Sequence, residues 1–371
     1  MVPTHAGTFT KSFSFTVADR DVADASLPTL FTVEARYDGE KAPVISFALG
    51  DVFTSLTYDF GGRGFFRRNQ WRVPPFVVPG SSIAVSVEVP EGTSLEIRAF
   101  GFSSQAARPS WNGGLRLNAH LGFWGFAPEN TMAAFSYAAA CGYPACICVP
   151  KVTKDGVFVC IHDDSINRTG RDAAGNKAGD EHVFVRDLTY AELQKWEFGS
   201  FKHPVWKGEK IPLLADFFRL CSKTGMRPVF STHPALTGAQ WAEVRQMLRD
   251  NGLMKRFNVK SFDPNVLKAA YRIFGTDIEG YTLDCGDWDN SKETCIATMD
   301  AIGFDKAHCR AGIELSPAAL SRERIKAVTG AGYFAACWGM CHAPASKFRE
   351  AIDMGVTEFT DDFNCCAGLD W

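Results

Sequence analysis

Several apolar runs in this 371-residue chain end in a side chain that can carry chemistry. An imidazole can give or take a proton near neutral pH, and a lysine ammonium can bind an anion. Imidazole and ammonium groups brought together would suit proton transfer on an anionic substrate. The side chains at the run ends are His120, Lys151, His162, Ser231, His233, Lys260, Glu279, Trp338 and Asp361.

Strands that alternate with helices must position these side chains. Asp263, for example, is expected to cap a helix that Pro264 begins and Gly275 ends. About 250 residues of such alternation is the size of a (β/α)₈ TIM barrel, in which the chemistry lies at the carboxyl ends of the strands. A doubly wound open sheet is disfavoured because no glycine-rich phosphate-binding motif follows the first strand. The predicted strand-like runs are Leu115–His120, Ala145–Val152, Val157–Ile161, Pro228–Thr232, Phe257–Phe262, Ile278–Leu283, Ala301–Lys306, Tyr333–Trp338 and Val356–Thr360.

The chain before the barrel has a different pattern. Short alternating runs are separated by turn residues, and helical periodicity is almost absent, which is typical of an all-β sandwich. We therefore predict a β-sandwich accessory domain over residues 1–111 and a barrel over residues 112–371, an α/β fold overall. The expected strands of the first domain are Phe13–Val17, Leu30–Tyr37, Val44–Leu49, Ile83–Val89 and Ser94–Phe100.

Composition excludes several classes of function. The chain has 39 basic and 42 acidic side chains and a net charge of −3, without the basic face that nucleic-acid binding needs. No apolar run is long enough to cross a membrane, and the N-terminus has no leader-like pattern. The 12 cysteines all lie at or beyond Cys141, several inside apolar runs. Reduced thiols and a cytoplasmic location are therefore expected.

A series of motifs gives the barrel a specific resemblance. The chain from His120 to Thr169 resembles the start of the glycerophosphodiester phosphodiesterase family, and further matches continue to Asp361 in the same order. The resemblance covers the whole predicted barrel and none of the first domain. The matching motifs are Pro128-Glu129-Asn130-Thr131, Thr153-Lys154-Asp155-Gly156, His162-Asp163, Arg168-Thr169, Ile211-Pro212-Leu213 and Ser261-Phe262-Asp263-Pro264.

The resemblance implies a mechanism. In that family two histidines act as general acid and base on a phosphodiester, and a divalent cation held by carboxylates neutralises the phosphate. His120 and His162 match the two histidines, so the resemblance implies that they are catalytic. Glu129, Asn130 and Asp163 belong to the matched motifs, and we expect them to bind substrate.

The expected metal ligands are missing. The family's E-x-D strand aligns with Ile147-Cys148-Val149, and the first carboxylate of its E-x-K strand aligns with Ser231 of Ser231-Thr232-His233. Calcium and magnesium need several oxygen ligands, which isoleucine, valine and serine cannot supply. We therefore predict no metal and no cofactor.

Basic side chains are the candidates to replace the cation. Side chains two apart on a strand share a face, so Lys151 is expected to point into the barrel with Ile147 and Val149. His233 and Lys260 are expected to supply further positive or hydrogen-bonding groups. The alternatives remain that Lys151 and Lys260 are solvated surface residues and that His233 lies in a simple turn.

Aromatic residues are the remaining candidates for substrate contact. Phe123, Trp124 and Phe126 follow His120 within one loop, and such a cluster at a barrel mouth is typical of a substrate cleft. Trp338 ends a late strand; it is also included as a substrate-binding candidate, although core packing is the usual role of such a residue.

Three classes of function follow from these residues. The first is a metal-independent phosphodiester-cleaving hydrolase or lyase in which His120 and His162 exchange protons. The second is a glycoside hydrolase, which needs two facing carboxylates. The third is a catalytically inactive glycan- or lipid-binding module. The expected partner is a small phosphodiester or glycoside, and the β-sandwich is a possible contact for a homo-oligomer. The carboxylates available for a glycosidase are Glu129, Asp163, Glu279 and Asp361.

Overall fold

The computed structural model of the protein describes most of the chain and separates it into two compact units. One unit comprises residues 1–113, 341–350 and 364–371, and the other comprises residues 114–340 and 351–363. Among the described residues, no helix is both long and apolar enough to span a bilayer. The described residues are 9–16, 29–49, 56–57, 60, 63–72, 82–104, 115–125, 127–140, 143–232, 236–286, 292–340 and 345–361.

The first unit contains two antiparallel sheets. One has the strand order β1-β6-β3-β4 and the other the order β5-β2-β7. Exposed and buried positions alternate along β6, as expected for a sheet with one covered face. The sequence predicted five of these strands and missed β4 and β5. The strands are β1 (Phe9–Thr16), β2 (Thr29–Asp38), β3 (Val44–Leu49), β4 (Leu56–Thr57), β5 (Arg67–Arg72), β6 (Ser82–Val89) and β7 (Ser94–Ser104).

The second unit contains a closed eight-stranded parallel barrel, as predicted. Around the barrel the order is β8, β9, β12, β13, β14, β15, β16 and β17, and β17 pairs with β8. A separate two-stranded antiparallel sheet, β10-β11, lies between β9 and β12 in the chain. The strands are β8 (Arg116–Ala119), β9 (Ala145–Cys148), β10 (Pro150–Val152), β11 (Phe158–Cys160), β12 (Arg227–Ser231), β13 (Asn258–Ser261), β14 (Gly280–Asp284), β15 (Arg310–Leu315), β16 (Phe334–Trp338) and β17 (Val356–Asp361).

Helices connect the barrel strands, and their starts follow the sequence signals. Asp263 accepts a hydrogen bond from the backbone N–H of Asn265, and Pro264 is the first residue of its helix. Thr237 and Gln240 form a reciprocal capping box. The helices are α1 (Met132–Ala140), α2 (Tyr190–Leu193), α3 (Leu214–Thr224), α4 (Gly238–Asp250), α5 (Pro264–Phe274), α6 (Lys292–Ile302), α7 (Arg322–Gly330) and α8 (Ala345–Met354).

Aromatic side chains fill the layer between helices and barrel. Phe230 of β12 packs against Trp241 of α4 and against Phe257, with ring centroids 5.6 and 5.7 Å apart. Phe274 of α5 contacts both Trp241 and Phe257 at 5.7 Å. All four are almost completely buried. These apolar faces hold the strands in place and so fix the positions of the side chains at the strand ends.

Two predicted strands in the later part of the chain were wrong in position. Residues 301 and 302 end α6, and the barrel strand of this region is Arg310–Leu315 rather than Ala301–Lys306. The next strand upstream begins at Gly280 rather than at Ile278. Glu279 therefore precedes β14 and lies at the amino end of the barrel strands, opposite to its predicted position.

Charged side chains form a partly buried cluster at that amino end, which we call the lower ion cluster: Arg116, Arg227, Arg310, Glu279 and Glu358. Glu279 pairs with Arg116, with Arg227 at 3.5 Å and with Arg310 at 3.8 Å. Glu358 pairs with Arg227 and with Arg310, each at 3.2 Å. Burial disfavours the charged form of Glu358, but the arginines outweigh it and lower its pKa to about 2. The predicted position of Glu279 at the carboxyl ends of the strands is therefore wrong, because its carboxylate belongs to this cluster.

We expect Glu358→Gln to lower the free energy of unfolding by about 3–5 kcal/mol, because it removes a buried carboxylate from the buried Arg227 and the partly buried Arg310. Chemical denaturation at neutral pH measures the loss. The lowered pKa also gives a pH dependence. The stability from Glu358 is complete above its unfolded pKa of about 4.3 and is lost as the pH falls towards about 2.

The control is Glu350→Gln, which removes an exposed pair with Lys347 and should cost less than about 1 kcal/mol. Equal losses in the two variants would show that the lower ion cluster does not stabilise the barrel.

Candidate active site

A cavity of about 160 Å³ opens at the carboxyl ends of the barrel strands. This is the end at which barrels of this kind place their chemistry. Both predicted catalytic histidines line it, together with Lys260 and Trp338. The lining residues are His120, Leu121, Ile147, Val149, His162, Ser231, Lys260, Phe262, Asp284, Trp338 and Thr360.

A chain of hydrogen bonds joins Nδ1 of His162 to three charged side chains. Its Nδ1 lies 2.8 Å from Oδ1 of Asp163, and Asp163 accepts hydrogen bonds from Arg168 at 2.7 and 3.0 Å. Arg168 also binds both carboxylate oxygens of Glu129, at 2.6 and 2.9 Å. The bonds from His162 and Arg168 hold the pKa of Asp163 well below its usual range. A fixed carboxylate at Nδ1 orients the imidazole and leaves the other ring nitrogen for proton transfer.

Glu129, Asn130 and Asp163 therefore have structural positions that the sequence did not predict. None of them lines the cavity. Glu129 and Asp163 hold Arg168, while the Asn130 side chain accepts a hydrogen bond from the backbone N–H of Val149 at 2.9 Å. These residues support the site from behind, and the prediction that they contact substrate finds no support in the geometry of the cavity.

The loop after His120 has an unusual backbone. Leu121 and Asn130 have φ values of 53° and 52°, in the left-handed region. The backbone N–H of Asn130 donates to the Leu121 carbonyl at 2.8 Å, which closes the loop. A side chain at Gly122 would lie 2.6 Å from Cβ of Ala134, so only glycine fits there. This closed loop holds His120 at the cavity.

Phe123 and Trp124, the described aromatic residues of this loop, do not line the cavity. Phe123 is fully buried and packs on Tyr143, with ring centroids 5.6 Å apart. Trp124 does not line the cavity, but its ring meets that of His120 edge-to-face at 6.3 Å. Phe126 lies outside the described residues. Phe262, which the sequence reading noted only as part of a motif, is the exposed aromatic side chain at the cavity, with 48% of its surface accessible.

Lys260 is the lysine that the structure brings into the cavity. It is 7% exposed, and its ammonium pairs with Glu314 and, at 3.3 Å, with Asp284. Burial favours the neutral amine, but the two carboxylates outweigh it and raise the pKa of Lys260. Burial also raises the pKa of Glu314, although the charge of Lys260 opposes this effect. Thr360 donates a hydrogen bond of 2.7 Å to the Glu314 carboxylate. Lys260 is therefore a fixed cation at the cavity.

Lys151 does not reach the cavity. Its Nζ lies 2.5 Å from Asp164, and the residue belongs to β10, which pairs with β11 and not with a barrel strand. The chain leaves the barrel between β9 and β10, at Val149. The alternation of side chains between the two faces of a strand does not continue across this break. Lys151 therefore does not point into the barrel beside Ile147 and Val149, as the sequence predicted.

The residues at the cavity do not fit a divalent cation. Ile147, Val149 and Ser231 line it at the positions where the resemblance places metal-binding carboxylates. Asp284, the one carboxylate among the described residues that line it, is paired with Lys260. Within the described part of the chain, no group of three or more His, Cys, Asp or Glu side chains is arranged to hold a metal. Hard cations need several oxygen ligands at once.

The remaining predicted residues lie in different places. Asp361 is buried outside the cavity, where it accepts a 3.4 Å hydrogen bond from Tyr143. His233 lies outside the described residues. Asp284, which lines the cavity, and Glu314, which pairs with Lys260 beside it, were not among the residues predicted from the sequence. Asp284 directly follows the predicted strand Ile278–Leu283. Extending that strand by one residue would have placed Asp284 among the polar residues at the strand ends.

Comparisons with known proteins agree with the motifs. Residues 120–272 match the model of the glycerophosphoryl diester phosphodiesterase family. Over this segment the chain is similar to members of that family. YhdW of Bacillus subtilis is 37% identical over 149 residues, which are 38% of this chain and 57% of YhdW. A glycerophosphodiester phosphodiesterase of Caldanaerobacter subterraneus is 37% identical over 102 residues, 28% of this chain and 38% of the relative. The chain thus spans less than two-thirds of each relative.

A solved structure shares the fold of the barrel. A phosphodiesterase of Oleispira antarctica, in complex with the product sn-glycerol-3-phosphate, superposes with a TM-score of 0.55 at 19% identity. The match covers 68% of this chain and 94% of that one. At this identity the similarity concerns the fold alone. Over residues 120–272 the chain has both histidines that the resemblance implies, and it has Ile147, Val149 and Ser231 where the resemblance implies metal ligands.

Proposed function

We propose that the barrel cleaves a phosphodiester without a metal ion, with His120 and His162 as the proton-transfer groups. The observation that carries the proposal is the cavity itself. It is lined by both histidines and by a buried lysine, while Ile147, Val149 and Ser231 occupy the expected ligand positions. The match of residues 120–272 to the phosphodiesterase family model supports the same class of reaction.

In the proposed reaction, His162 acts as the base. It takes a proton from water, or from a neighbouring hydroxyl of the substrate, as that oxygen attacks phosphorus. Asp163, 2.8 Å from Nδ1, stabilises the imidazolium that forms. The bond from phosphorus to the departing oxygen breaks, and His120 donates a proton to that oxygen. Water as nucleophile gives a phosphomonoester, and a substrate hydroxyl gives a cyclic phosphodiester.

Lys260 is proposed to offset the phosphate charge. A group that is already charged and fixed needs no reorganisation as charge develops in the transition state. Ionised Asp284 and Glu314 would together outweigh the ammonium charge. We therefore propose that the ammonium acts locally on a phosphate oxygen, as the positive end of these ion pairs, rather than as a net positive charge. The exposed ring of Phe262 is proposed to contact the organic part of the substrate.

A glycoside hydrolase is less consistent with the site. Such an enzyme needs two carboxylates flanking the bond that breaks. None of the four predicted carboxylates lines the cavity, and Glu279 lies at the opposite end of the barrel. Asp284 and Glu314 are both engaged by Lys260. The inactive binding module is a weaker proposal because the oriented histidine serves no purpose in it.

We expect hydrolysis of a glycerophosphodiester such as glycerophosphocholine to continue at the same rate in excess EDTA. The measurement is product release by the full chain before and after dialysis against the chelator, with a metal-dependent phosphodiesterase assayed in parallel as a control. Loss of activity on chelation, restored by calcium or magnesium, would overturn the metal-independent part of the proposal. Absence of activity on phosphodiesters in every condition would overturn the proposed reaction.

The predictions for the first unit remain proposals. We propose that its two antiparallel sheets form a sandwich spanning about residues 1–111, followed by a barrel domain over residues 112–371, and that the sandwich mediates contacts between copies of the chain. A cytoplasmic location likewise remains a proposal, based on cysteine usage. Sedimentation equilibrium of the full chain tests the contact between copies, and a single monomeric species would contradict it.

A further inference from the structure

Two cysteines lie close together beside the cavity. Cys285 directly follows the last residue of β14, and Cys295 lies in the first turns of α6. The residues are ten positions apart in the chain, yet their sulfur atoms are 2.8 Å apart. A disulfide joins sulfurs at about 2.05 Å. An approach of about 0.8 Å would therefore bring the two sulfurs to bonding distance.

These two cysteines also differ from the other described cysteines in their exposure. Of the eight cysteines that the structure describes, six are buried and only Cys285 and Cys295 are partly exposed. Cys148 and Cys160 also interact through their side chains, but both are at most 1% exposed. Proximity and access to solvent therefore coincide, among the described residues, only at Cys285 and Cys295.

The hydrogen bond between the two thiols gives the two cysteines different roles in disulfide exchange. Cys285 donates a hydrogen bond to the sulfur of Cys295. This bond lowers the pKa of Cys295 and, together with burial, raises that of Cys285. A thiolate, and not a thiol, attacks a disulfide. Cys295 is thus the attacking sulfur, and Cys285 is the sulfur that resolves the intermediate.

We propose that Cys285 and Cys295 form a reversible disulfide by exchange with a small-molecule disulfide. The Cys295 thiolate attacks one sulfur of that molecule, forms a mixed disulfide and releases one thiolate. Cys285 then loses its proton and attacks the Cys295 sulfur, which releases the second thiolate. The two cysteines lose two electrons and two protons, and one small disulfide becomes two thiols.

The bond would connect α6 to the edge of the cavity. The backbone N–H of Cys285 donates to the Glu314 carbonyl at 2.9 Å, and Gly286 donates to the Asp284 side chain at 3.1 Å. Cys285 is therefore fixed to β15 and adjoins Asp284, which lines the cavity. The proposed bond does not depend on the reaction that the cavity performs.

The test is disulfide mapping of the full folded chain. The protein is equilibrated with excess oxidised glutathione, its free thiols are blocked with iodoacetamide, and peptides are analysed by mass spectrometry. We expect a linked Cys285–Cys295 peptide that disappears on treatment with dithiothreitol, while Cys148 and Cys160 remain unlinked. Cys285→Ser should leave Cys295 as a stable mixed disulfide with glutathione.

Two results would overturn the proposal. One is that iodoacetamide modifies both Cys285 and Cys295 after equilibration with oxidised glutathione. The other is that the link forms only in denaturant, where any pair of cysteines can meet. Circular dichroism checks that Cys285→Ser is folded, and Cys295→Ser, which should leave Cys285 unmodified at neutral pH, provides a second variant.

Discussion

Replacing His162 by alanine is expected to lower turnover of a phosphodiester by about 10²–10⁴-fold, the usual contribution of a general acid or base. His120→Ala should cause a loss of the same order. Both rings line the cavity, and the Asp163 carboxylate orients His162. Steady-state kinetics on glycerophosphocholine measure the effect, and circular dichroism shows whether each variant is folded.

His308→Ala is the matched control for His162. The Nδ1 of His308 lies 2.7 Å from a carboxylate of Asp305, much as that of His162 lies 2.8 Å from Asp163. His308 borders a cleft with Glu279 and Arg310, away from the cavity. Its loss should leave turnover unchanged. A folded His162→Ala variant with the turnover of the wild type would remove His162 from the mechanism.

The second large effect is expected at Lys260. Lys260→Met removes the fixed cation of the cavity while keeping a similar side-chain length, and we expect turnover to fall about 10²–10³-fold, as when a preorganised electrostatic group is lost. The loss should be seen in kcat as well as in kcat/KM, because the interaction strengthens as charge develops on the phosphoryl group. Lys260→Arg keeps the charge and should retain part of the activity.

Lys151→Met is the matched control for Lys260. Both lysines are almost fully buried, at 8% and 7% exposure, and both pair with carboxylates. Lys151 lies outside the cavity, and its partner Asp164 is 62% exposed and can be solvated when the lysine is lost. Turnover should therefore remain close to that of the wild type. Loss of activity in Lys151→Met with retention in Lys260→Met would reverse our assignment of the cation.

Folding must be separated from catalysis at Lys260, because two buried carboxylates lose their partner. Breaking a buried ion pair by removing one partner costs about 3–5 kcal/mol. The double variant Lys260→Met with Glu314→Gln removes one of the unpaired charges, and its unfolding free energy should recover part of this loss. Turnover of the double variant should stay low, since the cation is still absent.

The sequence predicted the parts of the site that depend on local patterns. His120 and His162 were located by apolar runs that end in polar residues and by motifs, and both line the cavity. Asp263 and Pro264 predicted the start of α5. These signals act over a few residues, so they can be read without knowing how distant segments pack.

The errors concern residues whose roles depend on strand boundaries or on packing. Buried parallel strands lack alternation, so their ends are hard to fix from sequence. Glu279 was assigned to the mouth although it stands at the start of its predicted strand, and the structure places it in the lower ion cluster. Lys151 was misplaced because the chain leaves the barrel at Val149. Glu314 was missed with its whole strand, since Arg310–Leu315 is short and has a charged residue within it.

The lower ion cluster has a consequence for how this barrel can diverge. Its five side chains come from β8, β12, β15 and β17 and from the residue before β14, so they join segments that are far apart in the chain. Substitutions at well-separated sites usually have additive effects on stability. Because the lower ion cluster holds the strands together at their amino ends, residues at the carboxyl ends of the strands can be substituted while the barrel remains closed. A chain of this kind can lose ligands for a metal at the mouth, and explore a different chemistry there, while remaining folded throughout the change.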